Sequence, residues 1–508
     1  MTRKDFVINL FWLFVFGCAI LLHLVGLNQP FLGNFAQHQT DYATVVQRWL
    51  ETSSWNPFYP VMRWIGNGEN RIFLGDIPLN ISIGTFLCKI TGWSIEIVSR
   101  GLSITFFLLS LYPFYRLLSL IFKDRILILW SMFFYVGSPL TVIYGQAFLL
   151  EMTGLSLGIF GYYFFFRWFY QSSFLSLIVS AIFLSFMLGT RIYYAPLIVP
   201  LLFLFLKRYG LFVFLRKEFY LFLIVTVAIP LLWQAYAGFA AGLHGQESSF
   251  QDNLRVFLFD DAFLRPNLSN LRYYLPVFGI ILSQLVTPIG IVLVLLALCF
   301  TRAEFQKSTR FILLLLISFV PLFMVAPRKF VEFEYYYLPL VPAFAVLAAS
   351  AVKVIVNGGY LRSWGQIVLG VCVLFFSARY SLAPVLIVPD EDQYVLESAQ
   401  KVRELAPGGS RVIASHGSTT SFLYYTNRDG WAFQLEEGPE AAVRNIADHE
   451  GSAVERLERY RSQGASYFAL ADRRQEQKNT ALMDYLNENY SLAYESPHTL
   501  IYSLRKAA

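Results

Sequence analysis

Charge is what this chain of 508 residues has least of: only 15% is Asp, Glu, Lys or Arg, against 56% hydrophobic residues. Soluble domains carry about 25% charged residues, so a soluble enzyme is excluded and a polytopic membrane protein is expected. Cysteine is scarce too. Cys18, Cys88, Cys299 and Cys372 are far apart, which excludes a disulfide framework and a cysteine metal site and leaves inert thiols. No zinc helix motif, Gly-rich phosphate loop or G-x-S-x-G elbow is present. The basic residues that give the net charge of +6 are scattered between apolar runs. They mark topology and exclude a nucleic-acid role.

What is abundant is apolar and aromatic, with 49 Phe and 30 Tyr, as aromatic belts at membrane interfaces require. Runs long enough to cross a bilayer are read at 6–27, 97–122, 126–145, 150–169, 173–190, 192–207, 219–237, 276–300, 311–326, 335–355 and 364–383, about eleven spans. Arg3 and Lys4 precede the first, which lacks a small-residue cleavage site and reads as an uncleaved helix. With Lys123, Arg125, Lys207, Arg208, Arg216, Lys217, Arg302, Lys307 and Arg310 they place the N-terminus and these short loops in the cytoplasm. The long segments 28–95 and 238–275 then fall outside. Segment 28–95, with Trp49, Trp55, Trp64 and Trp93, is expected to form short helices lying in the interface.

The character changes near residue 389. Residues 1–389 read as the transmembrane part and 390–508 as a small α/β domain on the outer side. Strands are expected at 411–415, 465–471, 491–495 and 500–504, and helices at 452–463 and 479–489.

Polar residues in an apolar chain are the candidates for chemistry. Asp41 follows the first span, in Gln37-His38-Gln39-Thr40-Asp41-Tyr42, where a carboxylate can accept a proton from an acceptor or orient it; a helix cap or solvated loop acid is the plainer reading. Asp76 precedes Pro78, as a turn-stabilising acid also would. Glu151 is an acid at a helix end, costly in a membrane unless it faces a polar cavity. Arg191 sits at an outer turn, where it snorkels to the interface or pairs with a lipid phosphate. Arg328, Lys329 and Glu334 meet Tyr335 and Tyr336 at a helix mouth, beyond what an aromatic belt alone explains. His244, Glu247, Arg255, Arg265 and Arg272 of the second outer loop are further candidates, and one or two of its arginines are expected at the same site. His416 and His498 read as surface residues.

In order along the chain these motifs resemble the bacterial GT-C glycosyltransferases, relatives of protein O-mannosyltransferases and of the aminoarabinose transferase that modifies lipid A. Gln39-Thr40-Asp41-Tyr42-Ala43 is similar to their Gln-Ala-Asp-Thr-Ala signature, and Asp76-Ile77-Pro78-Leu79 to a Glu-Phe-Pro-Leu segment. Glu151-Met152 after Tyr144-Gly145-Gln146 resembles a third acidic position, and Arg191 stands where many have lysine. Glu334-Tyr335-Tyr336-Tyr337-Leu338-Pro339 is similar to His-x-Tyr-Tyr-x-Leu-Pro, and Tyr424-Tyr425-Thr426-Asn427-Arg428-Asp429-Gly430-Trp431 to Tyr-Tyr-x-x-Arg-x-Gly-Trp. There are departures: Phe35 and Gln37 replace a His-x-Trp pair, Ile77 a lysine, and Glu334 the histidine.

The resemblance implies an inverting transferase on the outer face of the cytoplasmic membrane. It would move a sugar from a polyprenyl-phosphate donor to a lipid, glycan or protein acceptor. Asp41 would be the base or acceptor-orienting group. Arg191, with Arg328 and Lys329, would bind phosphate, and Asp76 and Glu151 would shape the sugar or acceptor pocket, with Glu334, Tyr335 and Tyr336 also contacting substrate. No cofactor is firmly implied; an acid-rich site has ligands for a divalent ion, but the resemblance does not call for one. The competing reading is a transporter or flippase of a lipid-linked substrate, whose paired repeats and midplane charges are not seen. A non-catalytic assembly factor is the third.

Overall fold

The structure, a computed structural model, describes residues 3–33, 35–66, 68–244, 271–299, 306–415, 419–435 and 451–505. In chain order the first ten α-helices are α1 (Arg3–Leu22), α2 (Ala36–Thr52), α3 (Leu79–Thr91), α4 (Ile95–Ile121), α5 (Arg125–Val136), α6 (Pro139–Gly145), α7 (Glu151–Gln171), α8 (Phe174–Thr190), α9 (Ile198–Tyr209) and α10 (Lys217–Leu243). Their starts follow local chemistry. Ser94 Oγ accepts from the Ile97 amide at α4 and Asp124 Oδ1 from the Leu127 amide at α5, satisfying amides that a first turn leaves open.

Among the described residues five helices are long and apolar enough to cross a membrane: Ile95–Ile121, Ile192–Leu215, Lys217–Leu243, Glu334–Asn357 and Ser363–Leu386. Two bent pairs raise the number to seven. The runs read as single spans at 126–145 and 276–300 are these pairs. The first bends by 51° between Val136 and Pro139, the second by 98° between Leu285 and Thr287. Proline is the reason in both: Pro139 and Pro288 cannot donate to the preceding turn, so a new helix starts there.

Segment 28–95 contains the short helices α2 and α3, and between them strands that were not expected. After α2 it forms an antiparallel hairpin, β1 (Val61–Gly66) with β2 (Glu69–Ile72). The hairpin joins strands some 350 residues later in sequence: β3 (Arg411–Ser415), β4 (Gly430–Ala432), β5 (Ala465–Leu470), β6 (Ser491–Glu495) and β7 (Leu500–Ser503). The sheet runs β2-β1-β4-β3-β5-β7-β6. Its centre is parallel, with β4 beside β1 and β3, and β3 beside β5; its edge pairs are antiparallel. The two-residue period of a strand sends alternate side chains to two buried clusters: Ile65, Ile413, Trp431 and Phe468 to one, Trp64, Val412, Ala414 and Ile501 to the other. At Gly430 a side chain would collide with the Val412 carbonyl, so glycine is required for β4 to close on β3.

The helix between β3 and β4, Thr419–Thr426, lies along α2. Thr40 Oγ1 and Ser421 Oγ are 3.2 Å apart, both fully buried, and Thr420 donates to the Gln37 carbonyl. The Phe31 amide donates to Tyr425 Oη at 2.6 Å, and Tyr424 Oη donates to Glu96. Asp429 accepts from Arg48 at 2.5 Å and from Arg63 at 3.3 Å, while Arg63 also holds Gln47 and Glu51. The Tyr424–Trp431 motif is thus a structural seam, fastening the C-terminal region to α2.

Candidate functional site

Arg191 is the centre. It follows α8, where the extended backbone of residue 191 ends the helix. Its guanidinium donates to Asp76, to Glu151 Oε1 at 2.8 Å and to Tyr42 Oη at 2.9 Å. Four stretches read separately in sequence therefore meet at one cation. Burying one guanidinium between two carboxylates is tolerable because the charges are matched and hydrogen-bonded.

Each partner is held by its own scaffold. Loop 73–78 is tied at both sides: the Ile77 amide donates to the Gly189 carbonyl at 3.0 Å, and Gln234 Nε2 donates to the Gly75 carbonyl. Ile77, which replaces a lysine of the resembling family, packs over Gly189, which has no room for a Cβ. Glu151 is the first residue of α7 and 1% exposed, at a helix end whose open amides favour a negative charge. The turn before it is clamped from three directions. Asn80 Nδ2 donates to the Leu149 carbonyl, Gln39 Oε1 accepts from the Phe148 amide, and Ser103 Oγ donates to the Ala147 carbonyl. Arg100, buried and absent from the sequence reading, adds bonds to the carbonyls of Gln146, Gln29 and Pro30.

Asp41 lies one residue from Tyr42 on α2, its side chain 15% exposed and its Oδ2 3.8 Å from His38 Nδ1. Phe35, at the start of α2, has φ of 56°, a left-handed conformation that a bulky residue adopts only when its surroundings hold it there. Its ring meets Tyr335 at 5.6 Å and Tyr144 at 5.7 Å. From there an aromatic wall runs over the Arg191 cluster: Tyr335 beside Tyr336 at 5.0 Å, Tyr336 beside Tyr193 at 4.4 Å, and Tyr193 beside Tyr194 at 4.9 Å. Tyr193 and Tyr194 were not anticipated, although the run Arg191-Ile192-Tyr193-Tyr194 was the available signal.

Several buried oxygens are left over. Asp41 Oδ1, Glu151 Oε2 and Glu334 Oε2 have no hydrogen-bond partner among the described residues, and neither does Arg191 Nε. Buried polar groups are normally satisfied, so an open acceptor on Glu151 beside Arg191, with others on Asp41 and Glu334 of adjoining elements, suits a ligand that brings donors and an anion. Burial pushes the Asp76 carboxyl up to about 6 against the opposing pull of Arg191.

The other expected residues are placed differently. Glu334 pairs with Gln284 rather than with Arg191. Lys329 Nζ lies 5.2 Å over the Phe333 ring, itself 6.3 Å from the His38 ring; the Arg328 side chain is outside those described. His244 faces Glu69 of the hairpin at 3.6 Å. Glu247, Arg255, Arg265 and His416 lie outside the described residues, and His498 stacks on Tyr394. Among the described residues no three His, Cys, Asp or Glu side chains converge as metal ligands.

No protein-family model and no curated protein sequence matches the chain. Solved structures do. ArnT from Cupriavidus metallidurans bound to undecaprenyl phosphate superposes with a TM-score of 0.64 at 11% identity, over 99% of this chain and 98% of that one. The oligosaccharyltransferase AglB from Archaeoglobus fulgidus, in complex with an inhibitory peptide and a dolichol-phosphate, gives 0.58 at 11% identity over 99% of this chain and 75% of that one. The arabinofuranosyltransferase AftD from Mycobacteria gives 0.56 at 13% identity; this chain is covered entirely but spans 40% of AftD's length. The chain therefore has, end to end, the fold of the GT-C membrane glycosyltransferases.

Proposed function

We propose that the protein is a glycosyltransferase that takes a sugar from a polyprenyl-phosphate donor at the outer face of the cytoplasmic membrane. The observation that carries this is the Arg191 cluster, with Glu151 Oε2 left open within it and Asp41, the neighbour of Tyr42 on α2, left open at Oδ1. The likeness along the whole chain to a protein bound to undecaprenyl phosphate supports it. In this reading the membrane carries about eleven spans, the N-terminus is cytoplasmic, and residues 390–508 form an outer domain fastened to the transmembrane part.

The chemistry is a substitution at the anomeric carbon. The acceptor oxygen attacks that carbon as its bond to the phosphate oxygen breaks, and the phosphate leaves with the bonding electrons. Asp41 takes the acceptor's proton or, where the acceptor is already ionised, only orients it. Attack opposite the leaving phosphate inverts the anomeric centre. Arg191, with its Nε free, and Lys329 neutralise the charge that grows on the phosphate, and Arg328 belongs to the same group. Fixed charges in a site closed to water act strongly because they need not reorganise. Asp76 and Glu151 hold Arg191 in place and edge the sugar or acceptor pocket under Tyr335 and Tyr336. The acceptor is a lipid, a glycan or a protein.

The test is sugar release from a panel of labelled undecaprenyl-phosphate sugars by wild type beside Asp41→Asn. Turnover by wild type that collapses in the variant is expected. Absence of turnover with every donor, with lipid-linked sugar crossing the bilayer of reconstituted vesicles, would replace the enzyme by a flippase.

A further inference from the structure

The break between Leu285 and Thr287 is more than a proline kink. The turn before it, 281–285, is a π-helix, a wide turn that occurs mostly as single insertions and often at functional sites. Immediately after it Thr287 has φ of +70°, strained for a β-branched residue. Ser138 Oγ locks the turn by donating to the Leu285 carbonyl at 2.7 Å. The product of this local strain is the position of one side chain. Gln284, next to Ser283 in an otherwise apolar stretch, donates from Nε2 to Glu334 Oε1 at 2.9 Å.

The orientation of that amide follows from its partner. A carboxylate accepts only, so Gln284 must offer its NH2 group and turn its carbonyl oxygen away. Gln284 Oε1 and Glu334 Oε2 then remain, both shut off from solvent and without a partner among the described residues. Both are acceptors, so what completes them must donate hydrogen bonds. The pair borders the Arg191 cluster. Tyr335, next to Glu334, is 6.0 Å from Tyr193 and 6.1 Å from Tyr144. Fully buried Tyr144 lies within electrostatic reach of both Glu334 and Glu151.

We propose that Gln284 and Glu334 form the subsite that reads a hydrogen-bond-donating substituent, a hydroxyl or amino group, on the sugar of the lipid-linked donor. The assignment rests on the glycosyltransferase reading above and adds to it the residues that select the sugar. A site built to bond a substrate hydroxyl discriminates strongly, because an analogue without it leaves buried groups unpaired.

The experiment is equilibrium binding to the full-length protein in nanodiscs, for wild type, Glu334→Gln and Gln284→Met. The probes are bare undecaprenyl phosphate and undecaprenyl phosphate carrying glucose, mannose, galactose or arabinose; melting temperatures verify folding. Both variants are expected to bind the sugar preferred by wild type at least tenfold more weakly, to lose discrimination among the sugars, and to hold bare undecaprenyl phosphate within twofold of wild type. Unchanged sugar affinity, or equal weakening of sugar-bearing and bare lipid, would overturn the subsite and leave the glycosyltransferase reading standing. Failure of wild type to bind any of the lipids would overturn both.

Discussion

Two clusters of arginines and carboxylates lie close together in this protein, and they are finished to different degrees. In the seam between α2 and the C-terminal region, Arg48 and Arg63 take both oxygens of Asp429, and Gln47 and Glu51 complete Arg63. Both oxygens of Asp429 are used, while Asn427 Oδ1, Arg48 Nε and Arg428 Nε have no partner among the described residues. Around Arg191 the cation is equally well clasped, yet Glu151 Oε2 and, nearby, Asp41 Oδ1 and Glu334 Oε2 are left without partners. The seam's carboxylate is satisfied within the protein; the Arg191 cluster leaves carboxylate oxygens open. Charge and burial are similar in the two, so neither alone separates a structural cluster from a functional one. What differs is the kind of group left open: carboxylate oxygens around Arg191, an amide oxygen and guanidinium N–H groups in the seam.

That contrast yields graded expectations. Replacing Arg191 by Met should have the largest effect, because buried Glu151 and partly buried Asp76 lose their only described cation. Thermal melts should show a loss of about 3–5 kcal/mol, and turnover should vanish with it. Asp41→Asn should separate the two quantities: turnover of a hydroxyl acceptor falls about 10²–10⁴-fold while the melting temperature stays put, since its contact to His38 is long and half-exposed and such pairs contribute little. A melting temperature that falls as far as turnover would return Asp41 to a structural role.

Acid gives a third comparison, through Asp76. Its carboxyl titrates near pH 6 in the folded protein, above the value near 4 of an unfolded chain. Below pH 6 it becomes neutral and loosens its hold on Arg191, so turnover should drop about tenfold by pH 5. Stability should move the other way. Between pH 4 and 6 the folded state binds more proton at this group than the unfolded state, so the Asp76 contribution to stability grows as pH falls and is lost as pH rises through 6. Parallel pH profiles of turnover and melting test the opposite signs, and Asp76→Asn should flatten both near pH 6.

In the seam the effects should be smaller and confined to folding. Asp429→Asn should cost about 1–3 kcal/mol by weakening its bonds to Arg48 and Arg63, with turnover per folded molecule retained. Ser421→Ala, which removes a hydroxyl from Thr40 one residue before Asp41, should cost about 1 kcal/mol. Calorimetry beside turnover normalised to folded protein checks both; a turnover loss exceeding the folded fraction would make the seam part of the catalytic apparatus.

Much of the site was legible as isolated polar residues in an apolar chain. Asp41, Asp76, Glu151 and Arg191 stand out because burying a charge in such surroundings needs a reason, and three of them do meet in one cluster. Tyr335 and Tyr336 were readable as a run at a helix mouth. Gln284 was not, because one amide beside a serine gives no periodic signal, and its meaning depends on a π-turn that sequence does not announce. Arg100 was overlooked for a related reason: its partners are backbone carbonyls, which carry no residue identity. The Tyr424–Trp431 motif was visible, but its task as a seam shows only when α2 is seen lying against it.

The hydrophobic pattern by itself determined that this is a chain of membrane-spanning helices with a β-containing C-terminal region. Both follow from local periodicity and from the cost of exposing apolar surface. The strands at 411–415 and 491–495 were readable to the residue on the same grounds. Tertiary structure alone decided that a hairpin from residues 61–72 completes a sheet with strands after residue 411, since a strand's sequence prefers extension but does not name its neighbour. It also decided which acids share Arg191 and which are left open. A charge's partners are set by where helices cross, and contacts between positions a hundred residues apart leave no mark in either segment.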